Sequence, residues 1–149
     1  MTLTVYLLDV NVLLALAWPN HVNHEAAHRW FAAIRPGRWA TCPHTEIGFM
    51  RLSMQPAVVK TTISFGNAFQ ALTASVSSPQ HEFWPHDSSL TAIDAEMRTR
   101  IAGHHQLADA MLLDLAIRRS GKLATFDRRI ASLLAAGSPN QGVIDLIPA

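Results

Sequence analysis

Hydrophobic and polar residues follow one another along this chain in short segments that predict strands and helices in turn. Near the N-terminus, Val5 to Leu8 form an apolar run without polar alternation, which is typical of a parallel strand covered on both faces. Further short runs that favour strands lie at 38–42, 81–85, 122–126 and 143–147. Because helical segments separate these runs, the pattern predicts an α/β fold with a central parallel sheet and helices on both sides.

Apolar residues at helical spacing fill the segments between these runs. The predicted helices cover residues 11–18, 23–34, 46–54, 61–75, 90–101, 107–119 and 128–136. Thr45 is predicted to cap the third of these helices, and the pair Ser120-Gly121 is predicted to close the sixth. Right-handed crossovers between parallel strands would gather most of the strand ends at one edge of the sheet.

Length and composition indicate one globular domain spanning residues 1–149. Hydrophobic residues make up 49% of the chain and charged residues 15%, which separates it from disordered sequences. The formal net charge is +1 at pH 7, so no overall field attracts nucleic acid. Any binding of nucleic acid must therefore come from local patches.

The cysteine content limits the redox chemistry and the kinds of metal site. Cys42 is the single cysteine, which excludes an internal disulfide and the usual cysteine clusters that hold zinc. A lone thiol is compatible with a reducing compartment, and we expect a cytoplasmic protein. The N-terminus shows no basic leader, and no stretch approaches the roughly 20 apolar residues of a membrane span. We expect no membrane association.

Four carboxylates stand where the predicted edge of the sheet would gather them. Asp9 ends the first strand, and Glu46 opens the helix after the second. Asp109 lies near the start of the helix at 107–119, and Asp127 follows the strand before it. Each has a structural alternative, because Asp9 and Asp127 can cap helices and first-turn acids complement the helix dipole. Both interpretations stay open for each residue taken alone.

Carboxylates crowded into one pocket repel each other unless a cation neutralises them. An all-oxygen acidic site suits hard ions such as Mg²⁺ or Mn²⁺, which leave room for substrate phosphates. Such an ion lowers the pKa of a coordinated water and stabilises charge on a phosphoryl group. This chemistry favours phosphodiester hydrolysis over acyl transfer.

Four sequence blocks resemble the motifs of PIN-domain ribonucleases, especially the toxins of VapBC-type toxin–antitoxin pairs. They are LLDVNVLL at 7–14, TCPHTE at 41–46, GHHQLADA at 103–110 and LATFD at 123–127. They occur in family order and span nearly the whole chain. The resemblance implies a three-layer α/β/α sandwich with a central parallel sheet. It also implies an Mg²⁺- or Mn²⁺-dependent endoribonuclease that hydrolyses RNA through a metal-activated water.

The resemblance also assigns roles to the four acids. Asp9 and Asp109 would be the principal metal ligands and catalytic residues. Glu46 would complete the acidic cluster, and Asp127 would be the more variable fourth acid. The segment 55–90 carries no family motif, so the choice of RNA is left open there.

Five polar residues are secondary candidates for the same site. Asn11 and Thr125 match polar family positions that steady the carboxylates or a water. His104 and His105 precede Asp109 and would touch phosphate or move a proton, although an ordinary exposed loop explains them equally well. Arg128 follows Asp127, where a phosphate contact and a solvent-facing helix start are equal alternatives.

The resemblance further implies a cognate antitoxin that blocks the site, and a homodimer. Three alternatives remain: an inactive PIN-fold binding module, an aspartyl-nucleophile phosphatase and a phospho-accepting receiver domain. A phosphatase of that kind usually has a second Asp two positions after the first, where this chain has Asn11. A receiver would need a Lys near the ends of the last strands, whereas Lys122 precedes its strand.

Overall fold

The computed structural model describes residues 3–35 and 37–149, and a five-stranded parallel sheet lies at its centre. The strands are β1 (Val5–Leu8), β2 (Arg38–Thr41), β3 (His81–Phe83), β4 (Lys122–Thr125) and β5 (Ile144–Leu146). Their order across the sheet is β3-β2-β1-β4-β5, and every neighbouring pair is parallel. The predicted parallel sheet is confirmed.

Helices connect the strands. They are α1 (Val10–Ala17), α2 (His24–Ala33), α3 (Pro43–Ser53), α4 (Pro56–Val59), α5 (Phe65–Val76), α6 (Ala95–Arg98) and α7 (Leu107–Arg118). Short 3₁₀ helices lie at Leu90–Ala92, His104–Gln106, Arg128–Leu133 and Pro139–Val143. No helix in the part of the chain that the structure describes is long and apolar enough to cross a membrane.

Two hydrophobic cores, one on each face of the sheet, give the molecule its layers. Successive strand residues point to opposite faces, so Leu7 enters one core and Leu8 the other. The first core contains the apolar residues of α7, including the fully buried Leu113. The second contains residues of α1, α2 and α3. The expected three-layer α/β/α arrangement is therefore present.

Two of the predicted helix boundaries are wrong. Helix α3 begins at Pro43, with Cys42 at its cap position, and Thr45 lies one turn inside it. The Thr45 hydroxyl accepts a hydrogen bond from the Cys42 N–H (3.0 Å) and so satisfies that amide from within the helix. The helix expected at 61–75 begins at Phe65, because the Ser64 hydroxyl caps it by accepting from the Asn67 N–H.

The two other departures concern helices that are shorter or tighter than predicted. The segment 90–101 contains only a 3₁₀ turn and α6. Asp94 has non-helical backbone angles and caps α6, so the predicted long helix is interrupted there. The Asp94 N–H donates to the buried carboxylate of Asp114 (3.1 Å), which ties this break to α7. The segment 128–136 forms the 3₁₀ helix Arg128–Leu133 in place of an α-helix.

The strand order creates a switch point at the centre of the sheet. From β1 the chain builds outward through β2 and β3, and it then returns to the other side of β1 with β4. In open parallel sheets, the crevice at such a point, beyond the carboxyl ends of the strands, is where ligands bind. The residues that follow β1 and β4 are Asp9 and Phe126-Asp127.

Close packing explains the glycine at the amino end of β4. Helix α7 ends with Ser120 in the left-handed conformation (φ 55°), so the serine of the predicted Ser120-Gly121 cap carries the positive φ. A Cβ on Gly121 would lie 2.6 Å from both the Trp84 ring and the Val5 carbonyl oxygen. Gly121 is needed for this close approach.

Replacement of Gly121 tests this close packing, which lies at the opposite end of the strands from Asp9. We expect Gly121→Ala to lower the free energy of unfolding by about 1 to 3 kcal/mol, since the backbone of β1 must shift to admit the methyl group. The matched control is Gly142→Ala, where an added Cβ meets nothing within 4 Å. Equal urea midpoints for the two variants would contradict this account.

Candidate active site

Asp9 occupies the carboxyl end of β1 and caps α1. Its Oδ1 accepts a hydrogen bond from the Val10 N–H (2.8 Å), and its own N–H donates to the Ala124 carbonyl of β4 (3.0 Å). The residue is only 8% exposed. Burial raises the pKa of the Asp9 carboxyl, while the hydrogen bonds from Thr125 and Val10 act in the opposite direction.

Thr125 joins the ends of β1 and β4. Its fully buried hydroxyl donates to Asp9 Oδ2 (2.7 Å) and accepts from the Asp127 N–H (3.0 Å). Together with the Val10 N–H on Oδ1, this hydroxyl fixes both oxygens of Asp9, and it holds the backbone of Asp127 beside them. The cap interpretation and the functional interpretation of Asp9 are therefore compatible, because one oxygen caps the helix while the carboxylate as a whole lies at the switch point.

Asp127 is paired with Arg129 on the 3₁₀ helix that it caps. Asp127 Oδ1 accepts from the Arg129 N–H (2.9 Å) and Nε (3.0 Å), and Oδ2 accepts from Nη2 (3.0 Å). The hydrogen bond from this guanidinium lowers the pKa of Asp127. The Arg129 side chain is 89% exposed, so this ion pair is open to solvent.

Asp109 lies on the first turn of α7 and faces the other two aspartates. Burial, followed by the negative charges of Asp9 and Asp127, raises its pKa to about 6. The charges of Asp9 and Asp127 act on Asp109 because the three carboxylates lie near one another, and the Arg129 guanidinium acts in the opposite direction. The structure therefore gathers Asp9, Asp109 and Asp127, which are far apart in the sequence.

Glu46 is placed differently from these three acids. It lies on the first turn of α3, beyond the end of β2, and its Oε2 accepts a hydrogen bond from the Thr41 hydroxyl (2.7 Å). The same hydroxyl lies 2.7 Å from His81 Nε2. Its charge is not among those that shift the pKa values of Asp9 and Asp109.

Four of the five secondary candidates are exposed, and one of them, His105, lines a cleft beside Asp109. A cleft of about 260 Å³ beside Asp109 is lined by His105, Gln106, Asp109, Arg129, Ser132 and Leu133. His104 and His105 are exposed, and their ring centroids lie 3.8 Å apart. Asn11 is exposed on the first turn of α1, and Arg128 is exposed next to Asp127.

Sequence reasoning missed several of the polar residues that surround the acids. Of the pair Arg128-Arg129 it selected Arg128, whereas Arg129 makes the ion pair with Asp127 and lines the cleft. It also missed His44, whose charge lowers the pKa of Asp9, and the contact between Thr41 and His81. Thr41 and His44 lie inside the block TCPHTE, so only position within that motif could have drawn attention to them.

The donor set of the pocket fits a hard divalent cation. Its groups are carboxylates, and burial together with their mutual repulsion raises the pKa of Asp109. Among residues 3–35 and 37–149, no group of three or more His, Cys, Asp or Glu side chains stands ready as a complete ligand set. Mg²⁺ usually needs fewer protein ligands than that, because it is bound through one or two carboxylates, several waters and the phosphates of a substrate.

The Asp109 shift gives a stability that depends on pH. The ordinary pKa is 3.8 and the folded value is about 6, so between them the folded state holds a proton that the unfolded state has lost. The free energy of unfolding therefore falls as pH rises through this window. We expect Asp109→Asn, in chelator, to gain stability over the wild type at pH 7.5 and to lose that advantage at pH 4. Urea unfolding at both values measures this, and a difference independent of pH would contradict it.

The Thr125 hydroxyl gives a second test of the site. Thr125→Val keeps the side-chain shape but leaves Asp9 Oδ2 and the Asp127 N–H without this partner. The expected cost is about 1 to 3 kcal/mol in the free energy of unfolding, because buried polar groups lose a hydrogen bond. Thr125→Ser keeps the hydroxyl and should recover most of this loss. A serine variant as unstable as the valine variant would show that the methyl group matters and the hydroxyl does not.

Comparison with known proteins shows the family to which this chain is related. The sequence profile of the PIN domain matches residues 6–134. Ribonuclease VapC39 of Mycobacterium tuberculosis strain H37Rv is 43% identical over 131 residues, which cover 88% of this chain and 94% of the relative.

Two solved structures are similar in fold. Mycobacterium tuberculosis VapC20, a sarcin-ricin loop cleaving toxin, has a TM-score of 0.66 at 16% identity, over 85% of this chain and 93% of its own. VapBC2 of Rickettsia felis, in a crystal structure with a DNA fragment from the VapBC2 promoter, has a TM-score of 0.62 at 15% identity. The match covers 97% of this chain and 99% of that chain. Together with the profile match, these findings establish that the chain belongs to the PIN-domain family, and its relatives there include ribonucleases of the VapC type.

Proposed function

We propose that this protein is a metal-dependent endoribonuclease and the toxin of a type II toxin–antitoxin pair. The observation that carries the proposal is the convergence of Asp9, Asp109 and Asp127 at the switch point of the sheet. The relative at 43% identity over most of the chain is named a ribonuclease, which supports RNA as the substrate. The pocket lies at the edge where parallel sheets of this kind bind ligands.

The proposed cofactor is Mg²⁺ or Mn²⁺. Asp9 and Asp109 would be its principal protein ligands, with Asp127 and Glu46 completing the acidic set. When bound, the ion supplies an acidified water and offsets the charge that develops on the phosphoryl oxygens during in-line attack. The raised pKa of Asp109 supports this assignment, because it marks a buried carboxylate beside two other acids, and a bound cation would favour its ionised form.

The chain's own residues would orient the reaction and bind the RNA backbone. Thr125 and the Val10 N–H hold Asp9 in one rotamer, so this carboxylate needs no rearrangement when it binds. His105 and Arg129 line the cleft beside Asp109, where a donor or a cation would meet a phosphate next to the scissile bond. Because the net charge is only +1, such local cations would supply the attraction for RNA.

The proposed partners are a cognate antitoxin and a second copy of this chain. The similarity to VapBC2 supports the antitoxin, and a nuclease active on cellular RNA would need such an inhibitor in the cytoplasm where we place it. For the homodimer, the support is an apolar surface. Phe65 and Phe69 stack on α5 with ring centroids 5.5 Å apart, and both are more than half exposed.

Cleavage of total cellular RNA by the purified, antitoxin-free protein tests this function. Discrete fragments are expected with Mg²⁺ or Mn²⁺ and none with chelator. Asp9→Asn and Asp109→Asn should each reduce the rate by on the order of 100-fold or more, since a metal contributes several kcal/mol to the transition state. The matched control is Glu25→Gln, an exposed carboxylate on α2 that should leave cleavage unchanged.

Three results would contradict the proposal. Identical fragments from the wild type and both aspartate variants would identify a contaminating nuclease. RNA binding without cleavage under every metal condition would identify an inactive PIN-fold binding module. Hydrolysis of a generic phosphate ester in place of RNA would favour the phosphatase alternative.

A further inference from the structure

A buried hydroxyl connects Glu46 to a histidine on the neighbouring strand. Thr41, the last residue of β2, is fully buried, and its hydroxyl lies 2.7 Å from both Glu46 Oε2 and His81 Nε2. His81 opens β3 and is half-buried. These three residues come from separate parts of the chain, and each contact has the length of a good hydrogen bond.

The number of available protons fixes the direction of this chain of hydrogen bonds. A hydroxyl carries one proton, and an ionised carboxylate only accepts. The Thr41 hydroxyl therefore donates to Glu46, and its oxygen accepts from His81. His81 must then carry its proton on Nε2.

The position of His81 is determined by the sheet. His81 pairs with Trp39 in the β2–β3 register, and Trp39 and Thr41 lie on the same face of β2. The His81 and Trp39 rings are 4.7 Å apart between centroids, and Trp39 itself is 5% exposed. The imidazole therefore has little freedom to turn away from Thr41.

We propose that His81, acting through the Thr41 hydroxyl, is a positioning residue for Glu46. The two residues hold Glu46 Oε2 so that Oε1 is the oxygen presented to the cation or to one of its waters. This inference rests on the proposed function, in which Glu46 belongs to the acidic set. It assigns a role to Thr41, which lies inside the block TCPHTE, and to His81, which lies outside all four blocks on the edge strand β3.

The environment of His81 agrees with this role. Burial lowers its pKa, while the charge of Glu46 and a hydrogen bond to the Val76 backbone act in the opposite direction. The charge of Glu46 acts on this imidazole through space, in agreement with the placement of the two groups on either side of the Thr41 hydroxyl. Neither the neutral Nε2–H form nor the protonated form would break the chain of hydrogen bonds.

The first experiment measures Mn²⁺ affinity by electron paramagnetic resonance, which needs no RNA cleavage. Thr41→Val and His81→Phe should each weaken Mn²⁺ binding by on the order of tenfold, as is typical when the outer support of a ligand is lost. Thr41→Ser keeps the hydroxyl, and His81→Gln keeps an N–H near the position of Nε2. Both conservative variants should bind Mn²⁺ within about threefold of the wild type.

A double-mutant cycle then separates positioning from a general loss of structure. If Thr41 acts through Glu46, Thr41→Val should change Mn²⁺ affinity less than twofold in a Glu46→Gln background. The inference is overturned if Thr41→Val leaves the affinity of the wild type unchanged. It is also overturned if the full loss persists in the Glu46→Gln background.

A measurement on the metal-free protein gives an independent test. Nitrogen-15 NMR of the histidine rings reports which ring nitrogen carries the proton, and we expect Nε2 of His81 to be protonated at pH 7. An unprotonated Nε2 would overturn the proposal. Failure of the wild type to cleave RNA or to bind Mn²⁺ would count against the proposed function, and the His81 tautomer would still decide the positioning role.

Discussion

One buried hydroxyl holds together the sheet edge on which the acidic pocket depends. Thr125 donates to Asp9 at the end of β1 and accepts from the Asp127 backbone after β4. It therefore joins the two strands on either side of the switch point. A carboxylate as buried as Asp9 is costly unless it is hydrogen-bonded, and Thr125 together with the Val10 N–H supplies those bonds. The fold thus places a negative charge where an open parallel sheet has its natural crevice.

The other acids lie near Asp9 and differ in the partners that hold their carboxylates. Asp127 has a cation of its own in Arg129, and Glu46 has a hydroxyl and an imidazole behind it. Burial and the charges of Asp9 and Asp127 raise the pKa of Asp109 to about 6, and burial raises the pKa of Asp9 as well, so repulsion among the aspartates adds to the cost of burying them. A divalent cation would relieve that repulsion, and the same energy would then contribute to its binding. Repulsion in the metal-free protein and affinity for metal have one physical origin in this account.

Much of the fold could be predicted because its signals are local. The apolar run that ends at Asp9 and the alternation of strands with helices were sufficient to predict the parallel sheet, and the family resemblance gathered the acids. The break at Asp94 was not predictable, because it depends on a hydrogen bond to Asp114, a distant residue. The contact between Thr41 and His81 depends on the register of β2 with β3, which no periodicity in the sequence reveals. Which of Arg128 and Arg129 pairs with Asp127 depends on the 3₁₀ helix that forms where an α-helix was expected.

We propose that Asp9, Asp109 and Asp127 together form a binding site for a divalent cation. Anomalous diffraction from crystals soaked in Mn²⁺ tests this directly, because the manganese signal locates the ion without reference to activity. We expect an anomalous peak within coordination distance of carboxylate oxygens of both Asp9 and Asp109. A pocket without such a peak in crystals that hold Mn²⁺ elsewhere would contradict the account.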